Sequence, residues 1–181
     1  MAKIIGKYFI AWIPSEEVSA EVNELKTSLQ AKFGLKYALK SPPHVTLKMP
    51  FSWNEAKEQI LIQHLQGFMD QEKGLELGLN GFGKFGKRVI FIKVSRNEAL
   101  IQLQSRLVHY CKKELEMTKE LSDSNYHPHM TIALKDVKAK DFEMYWDYIS
   151  TLIFYKPKVV GKLVLLKKVD FRWSILAEIS S

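Results

Sequence analysis

The alternation of apolar and polar positions divides the chain into two similar passes. Residues 4–13 are nearly continuous in apolar side chains and predict a strand, and Pro14 closes it. Val18, Val22, Leu25 and Leu29 then recur at helical spacing. Ser15 stands in the capping position before them, Glu16 and Glu17 favour the first turn, and Gly34 supplies a stop. His44–Met49 predicts a short strand. Ser52-x-x-Glu55 has the form of a capping box opening a second helix that runs to Phe68. Strands are expected at 75–80 and 88–94, joined by a glycine-rich turn. The second pass follows the same order: a helix from Asn97 to Met117, a strand at His129–Ala133, and a helix whose Phe142, Tyr145, Trp146 and Ile149 share one face. Two strands, 159–168 and 171–179, close the chain. This order predicts an α+β protein of two related lobes, each a sheet covered by helices on one face, spanning residues 1–181 as one unit.

Composition narrows the class only a little. With 181 residues, 46% hydrophobic and 26% charged, the chain has the make-up of a globular domain rather than a disordered one. Cys111 is the single cysteine, so no internal disulfide forms, and no Cys/His spacing resembles a structural zinc site. Lys7 interrupts the apolar start and no small-residue cleavage site follows it, so residues 4–13 read as a strand and not as a signal peptide. No segment reaches the ~20 apolar residues of a membrane span. A cytoplasmic monomer without membrane association is expected. The net charge of +7 suits a polyanionic partner such as RNA, although a solvated lysine-rich surface is the commoner cause of such a balance.

The candidate chemistry lies in two segments, His44-Val45-Thr46-Leu47 and His129-Met130-Thr131-Ile132. With 5 histidines in the chain, two His-x-Thr-apolar segments at equivalent places in two passes exceed chance expectation. On a strand, positions i and i+2 share a face, so each histidine and its threonine point one way. Val45, Leu47, Met130 and Ile132 then point into the cores. Two imidazoles in one cleft can divide the work of phosphodiester cleavage, one neutral and taking a proton, the other charged and giving one. The hydroxyls of Thr46 and Thr131 can donate to the non-bridging oxygens of the phosphate. No metal or cofactor is needed for this division.

Other motifs fit less well. Gly81–Lys87 satisfies both G-x-G-x-x-G and G-x-x-x-x-G-K. Each pattern needs a helix next, however, and Val89–Val94 is a strand, while Arg88 occupies the Ser/Thr position. The segment still offers substrate contacts: Lys84 and Arg88 for phosphate, Phe82 and Phe85 for a base. Lys48 and His127, beside the two motifs, are further candidates. His44, His127 and His129 together could imitate a three-histidine zinc site, a reading that Pro128 disfavours. His64 and His109 read as structural or solvated. There is no G-x-S-x-G elbow and no cysteine signature for a nucleophilic enzyme.

At Pro43-His44-Val-Thr-Leu-Lys48 and Pro128-His129-Met-Thr-Ile-Ala133 the sequence resembles the two-histidine (2H) phosphoesterases. Within that superfamily it is similar to the 2′-5′ RNA ligase-like, or RNA 2′,3′-cyclic phosphodiesterase, proteins. Gly83-Lys-Phe85 followed by Arg88-Val-Ile-Phe91 resembles that family's aromatic-glycine turn and next strand. The resemblance implies a bilobal fold with pseudo-twofold symmetry and a central cleft. It also implies metal-independent hydrolysis of cyclic phosphates, RNA or nucleotide substrates, and a reverse, ligase-like reaction. Two rival readings remain: an RNA- or nucleotide-binding module with little catalysis, and a cyclic phosphodiesterase confined to small nucleotides.

Overall fold

The computed structural model describes residues 4–179. Its elements run β1 (Ile5–Pro14), α1 (Glu16–Phe33), β2 (Val45–Asn54), α2 (Glu58–Met69), β3 (Glu76–Phe85) and β4 (Val89–Val94). They continue with α3 (Glu98–Glu114), a short α4 (Leu121–Ser124), β5 (His129–Leu134), α5 (Phe142–Ser150), β6 (Tyr155–Val169) and β7 (Arg172–Glu178). A 3₁₀ turn at Tyr37–Lys40 leads into the first motif. All strand pairings are antiparallel. One lobe has the order β2-β1-β6-β7 and the other β5-β4-β3-β6. Each motif strand is therefore the outer strand of its own lobe. No described helix is long and apolar enough to cross a membrane.

The lobes are joined through β6, which has 15 residues and serves both. Its first part, from Tyr155 to Val160, pairs with β3, and Gly161–Lys167 pairs with β1. At the handover, a Cβ on Gly161 would overlap the Trp12 indole and the Ile13 carbonyl. Trp12, fully buried, lies against the bare backbone there. Tyr8, Ile10 and Trp12 alternate into one large core shared by both lobes, where they meet Val22 and Leu29 of α1, Leu61 and Leu65 of α2, and Leu103 and Leu107 of α3. The helices cross over as well, α1 packing against β5 and α3 against β2. On the opposite face Phe9, Ala11, Ile13, Val164 and Leu166 form a second, smaller cluster under the cleft.

Several local expectations are corrected. Ser52 lies inside β2, where its hydroxyl accepts from Lys7 Nζ at 2.7 Å, so there is no Ser52–Glu55 capping box. Asn54 takes that role instead, its side chain accepting from Ala56 N at 3.2 Å. Ser15 stands at the N-cap of α1 but makes no capping bond through its hydroxyl. The glycine-rich segment expected as a turn continues β3 to Phe85. Gly83 permits this, because a side chain there would collide with the Phe91 ring of β4. The helix expected to reach Met117 ends at Glu114, where Met117 N closes back on the Cys111 carbonyl and Glu116 takes a left-handed φ of 53°.

Each lobe clasps the other just beyond its motif. Asp123, in α4 ahead of His129, accepts from Lys48 Nζ at 2.7 Å and Met49 N at 3.1 Å on β2. Asp136, just past β5, accepts from Lys36 N and Tyr37 N at 2.7 Å each, at the turn ahead of His44. The loop before one histidine is thus tied to the chain beyond the other. The Lys48–Asp123 pair is dry, with side-chain exposures of 0% and 1%.

Asp123→Ala should therefore destabilise the protein by ~3–5 kcal/mol in urea denaturation, since it strands a buried ammonium. The double variant Lys48→Met/Asp123→Leu should recover most of the loss; equal destabilisation of the two would contradict an origin in the unpaired charge. Gly161→Ala should also destabilise, by ~1–3 kcal/mol, through forced displacement of Trp12. Unchanged stability there would mean that the indole gives way freely.

Candidate active site

Both motif strands carry a bulge at the same place. On β2, Thr46 pairs with Ala11 and Lys48 with Ile10, leaving Leu47 extra. On β5, Thr131 pairs with Phe91 and Ala133 with Ile90, leaving Ile132 extra. A bulge sets two consecutive residues against one partner and resets the alternation beyond it. Leu47 and Lys48 accordingly both enter the core, as do Ile132 and Ala133. Met49 and Leu134 return to the cleft face.

This phase change corrects the expectation that Lys48 touches substrate. Its ammonium is buried on the far side of the strand, bonded to Asp123 and, at 3.1 Å, to the Thr118 carbonyl. Alternation likewise separates the β3 candidates. Phe85 faces the cleft, its ring edge-on to His129 at 4.9 Å. Phe82 packs with Phe154 on the other face, and Lys84 Nζ lies over the Trp146 ring of α5 at 4.6 Å, so neither is a cleft residue in this conformation. Arg88 is exposed in the β3–β4 hairpin, its backbone N–H donating to the Phe85 carbonyl. His127 does line the cleft beside His129.

The two histidines are held in the same way. His44 Nδ1 lies 2.7 Å from the Pro42 carbonyl, and His129 Nδ1 lies 2.7 Å from the His127 carbonyl. A carbonyl can only accept, so each Nδ1 carries the proton and each Nε2 is left as the open nitrogen. The intervening residues are Pro43 and Pro128. A residue before proline is kept extended, which holds its carbonyl in place under the ring. Aromatic rings brace the imidazoles: Phe9 at 4.9 Å from His44, and Phe85 and Phe91 at 4.9 and 5.1 Å from His129.

The cleft has two adjoining ends. A cavity of about 260 Å³ is lined by His129, Thr46, Met49, Phe85, Asn125, Tyr126 and His127, among others. A neighbouring one of about 210 Å³ holds His44 and Thr131 together with Thr46 and Met49, which both cavities share. Both histidines and both threonines thus border two adjoining cavities that share the walls formed by Thr46 and Met49. Tyr126 ties its walls together by donating to the Thr46 carbonyl at 2.9 Å.

Electrostatically the site disfavours positive charge on either ring. Desolvation lowers the pKa of His44 to about 4, and Lys26 and His129 push the same way against the Pro42 hydrogen bond. Desolvation also lowers His129, against the hydrogen bond to the His127 carbonyl and with a smaller push from the His127 ring. Lys26 is a site residue that motif reading misses. Buried in α1, it donates to the Ala38 and Ser41 carbonyls at 3.2 Å each and so supports the loop that delivers His44. Its position one turn after Val22, on the apolar stripe, is the sequence signal for it. Asp123, Asp136 and Tyr126 carry no such signal. Among the described residues no three His, Cys, Asp or Glu side chains cluster as metal ligands.

The model of the 2′-5′ RNA ligase superfamily matches residues 14–170. A Geobacillus protein (strain WCH70) that carries a phosphoesterase name is 29% identical over 171 residues, covering 93% of this chain and 92% of that one. A Bacillus cytotoxicus protein named likewise is 29% identical over 166 residues, covering 91% and 90%. Among solved structures, apo LigT of E. coli superposes with a TM-score of 0.62 at 17% identity, covering 98% of this chain and 99% of LigT. The protein TT0787 of Thermus thermophilus gives 0.64 at 18%, covering 95% and 96%. The paired His-x-Thr strands, the bilobal sheet and the match over residues 14–170 agree: the chain belongs to the 2′-5′ RNA ligase superfamily of two-histidine phosphoesterases.

Proposed function

We propose that the protein is a metal-independent phosphodiesterase that opens a 2′,3′-cyclic phosphate, or a related 2′-5′ linkage, on an RNA end or nucleotide. The observation that carries this reading is the matched pair of imidazoles, each locked through Nδ1 to a backbone carbonyl with Nε2 as the open nitrogen on one cleft. An anionic phosphate between the rings raises both pKa values. His129 is raised from the less severe environment and takes the proton first; His44 stays neutral. In hydrolysis, water attacks phosphorus while His44 Nε2 accepts its proton, and His129 gives a proton to the departing ribose oxygen. Thr46 and Thr131 donate to the non-bridging oxygens as their charge grows. The reverse sequence, with the roles exchanged, joins a hydroxyl to a cyclic phosphate. Crystals of E. coli LigT with phosphate and with 3′-AMP are consistent with such ligands in this fold. The His129 end, with Phe85, Tyr126 and Asn125, suits the nucleoside that carries the scissile phosphate.

His44→Ala and His129→Ala should each lower kcat/KM on a 2′,3′-cyclic nucleotide by at least ~100-fold, with Thr46→Ala and Thr131→Ala milder. Near-normal turnover in either histidine variant would remove the assigned pair. Activity should survive EDTA; loss restored by zinc would point to the three-histidine reading instead. In NMR titration of the free protein the His44 ring should protonate near pH 4, well below the ordinary 6.5. Because its folded pKa is depressed, the stability it contributes is complete above pH 6.5 and declines as pH falls from 6.5 towards 4. A midpoint near 6.5 would contradict the desolvated base.

A further inference from the structure

A buried lysine holds the approach to each catalytic histidine. Lys48 Nζ donates to the Thr118 carbonyl at 3.1 Å and to Asp123, both ahead of His129. Lys26 Nζ, from α1, donates to the Ala38 and Ser41 carbonyls at 3.2 Å each, ahead of His44. Both side chains are closed to solvent, Lys26 at 1% exposure and Lys48 at 0%. They differ in their counter-charge. Lys48 is neutralised by Asp123, whereas among the described residues no carboxylate lies within ion-pair distance of Lys26. Burial lowers the Lys26 pKa to about 8, which still leaves it charged at neutral pH. An ammonium in a dry site is ordinarily paired with an anion, because burying it alone is costly.

The elements packed against α1 bring it no anion. Tyr37 and Lys40 of the 3₁₀ turn and Lys135 just past β5 gather at the His44 rim of the cleft, where Lys135 Nζ donates to the Tyr37 hydroxyl at 2.9 Å. Asp136 commits one oxygen to the backbone N–H groups of Lys36 and Tyr37. From β1, Lys7 bonds to Ser52 and Tyr8 to Glu58. The remaining titratable groups are the two histidines, and Lys26 acts on His44 in the direction that keeps it neutral.

The loop that Lys26 holds reads Ser41-Pro42-Pro43-His44. Neither proline has an N–H, so this stretch offers few amide donors with which to fix itself. The Ser41 carbonyl, which takes the Lys26 bond, belongs to the peptide unit that enters Pro42. The Pro42 carbonyl, next along the chain, accepts from His44 Nδ1. The ammonium therefore anchors the peptide adjoining the one that orients the ring.

We propose that Lys26 is a positioning residue that makes His44 the general base of the pair. Its ammonium fixes the Ser41–Pro42 peptide, and its uncompensated charge keeps the nearby imidazole unprotonated. The Lys48–Asp123 pair adds no net charge beside His129, which is left to carry the proton. The inference rests on the phosphodiesterase reading above and identifies what separates the roles of its two histidines.

The test compares Lys26→Met, which keeps the length and removes the charge, with Lys26→Arg, which keeps charge and donors. In NMR titration of the free protein the His44 ring should protonate at a higher pH in Lys26→Met than the native value of about 4, and at the native value in Lys26→Arg. On a 2′,3′-cyclic nucleotide Lys26→Met should lower kcat by roughly 10-fold or more with KM changed less than about 3-fold, and Lys26→Arg should recover most of the loss. A lysine that only packed α1 in place would leave the His44 titration unmoved, and that result overturns the proposal. Native kcat in Lys26→Met overturns it too. If Lys26→Met does not fold, the native protein decides: as Nζ loses its proton, at about pH 8, the carbonyl carbon signals of Ala38 and Ser41 and the His44 ring signals should shift together. Signals that stay still through that step overturn the proposal. If the native protein hydrolyses no cyclic nucleotide, the phosphodiesterase reading fails; an unmoved His44 titration in an active enzyme removes only the role of Lys26.

Discussion

One extra residue in each motif strand governs the site. A strand can hold a histidine and a threonine on its open face and still bury the next two residues together only if its alternation is broken there. The bulges at Leu47 and Ile132 make that break in both lobes. Without the first, Lys48 would sit on the cleft face and the buried pair with Asp123 could not form. The clasp that sets α4 against β2, and with it the approach to His129, depends on that pair. In the other lobe the equivalent position is Ala133, which needs no partner, and Asp136 ties the lobes through backbone N–H groups instead. The pseudo-symmetry is thus close in backbone and loose in side-chain chemistry.

The histidines illustrate how little side-chain machinery the site requires. Their orientation comes from carbonyls two residues back, and proline keeps those carbonyls in place. Among the described residues no carboxylate bonds to either ring, so only the two backbone carbonyls favour an imidazolium until an anion arrives. The resting site therefore disfavours positive charge at its centre and is cationic at one rim, and in the proposed reaction an entering phosphate would raise the histidine pKa values that cleavage needs.

The duplication of His-x-Thr and the two passes of strand and helix were legible because both rest on local periodicity, which the sequence displays directly. The bulges were not, since Leu47-Lys48 and Ile132-Ala133 look like the ordinary continuation of their strands. That is why Lys48 reads as a cleft residue and is not one. The capping box at Ser52 failed for a related reason: Ser-x-x-Glu is compatible with a helix start, but pairing with β1 carries β2 on to Asn54. Phe82, Lys84 and Phe85 could not be sorted while their segment was taken for a turn; once it is a strand, alternation sends Phe85 to the cleft and the other two away. Tyr37, Lys40 and Lys135 come together only in three dimensions, from segments almost 100 positions apart in the chain.

The shared strand β6 has a consequence for how the protein is made. Both sheets need residues 155–169, so neither lobe can be completed while the earlier part of the chain is still alone on the ribosome. β1 finds β2 nearby in the chain but waits for its second partner, β6, some 150 positions later, which makes the topology one of long-range contacts and slow closure. Until then β1 and β3 each present an open edge to the surrounding solution, and the nascent chain depends on its helices and hairpins to keep those edges from pairing with the wrong neighbour.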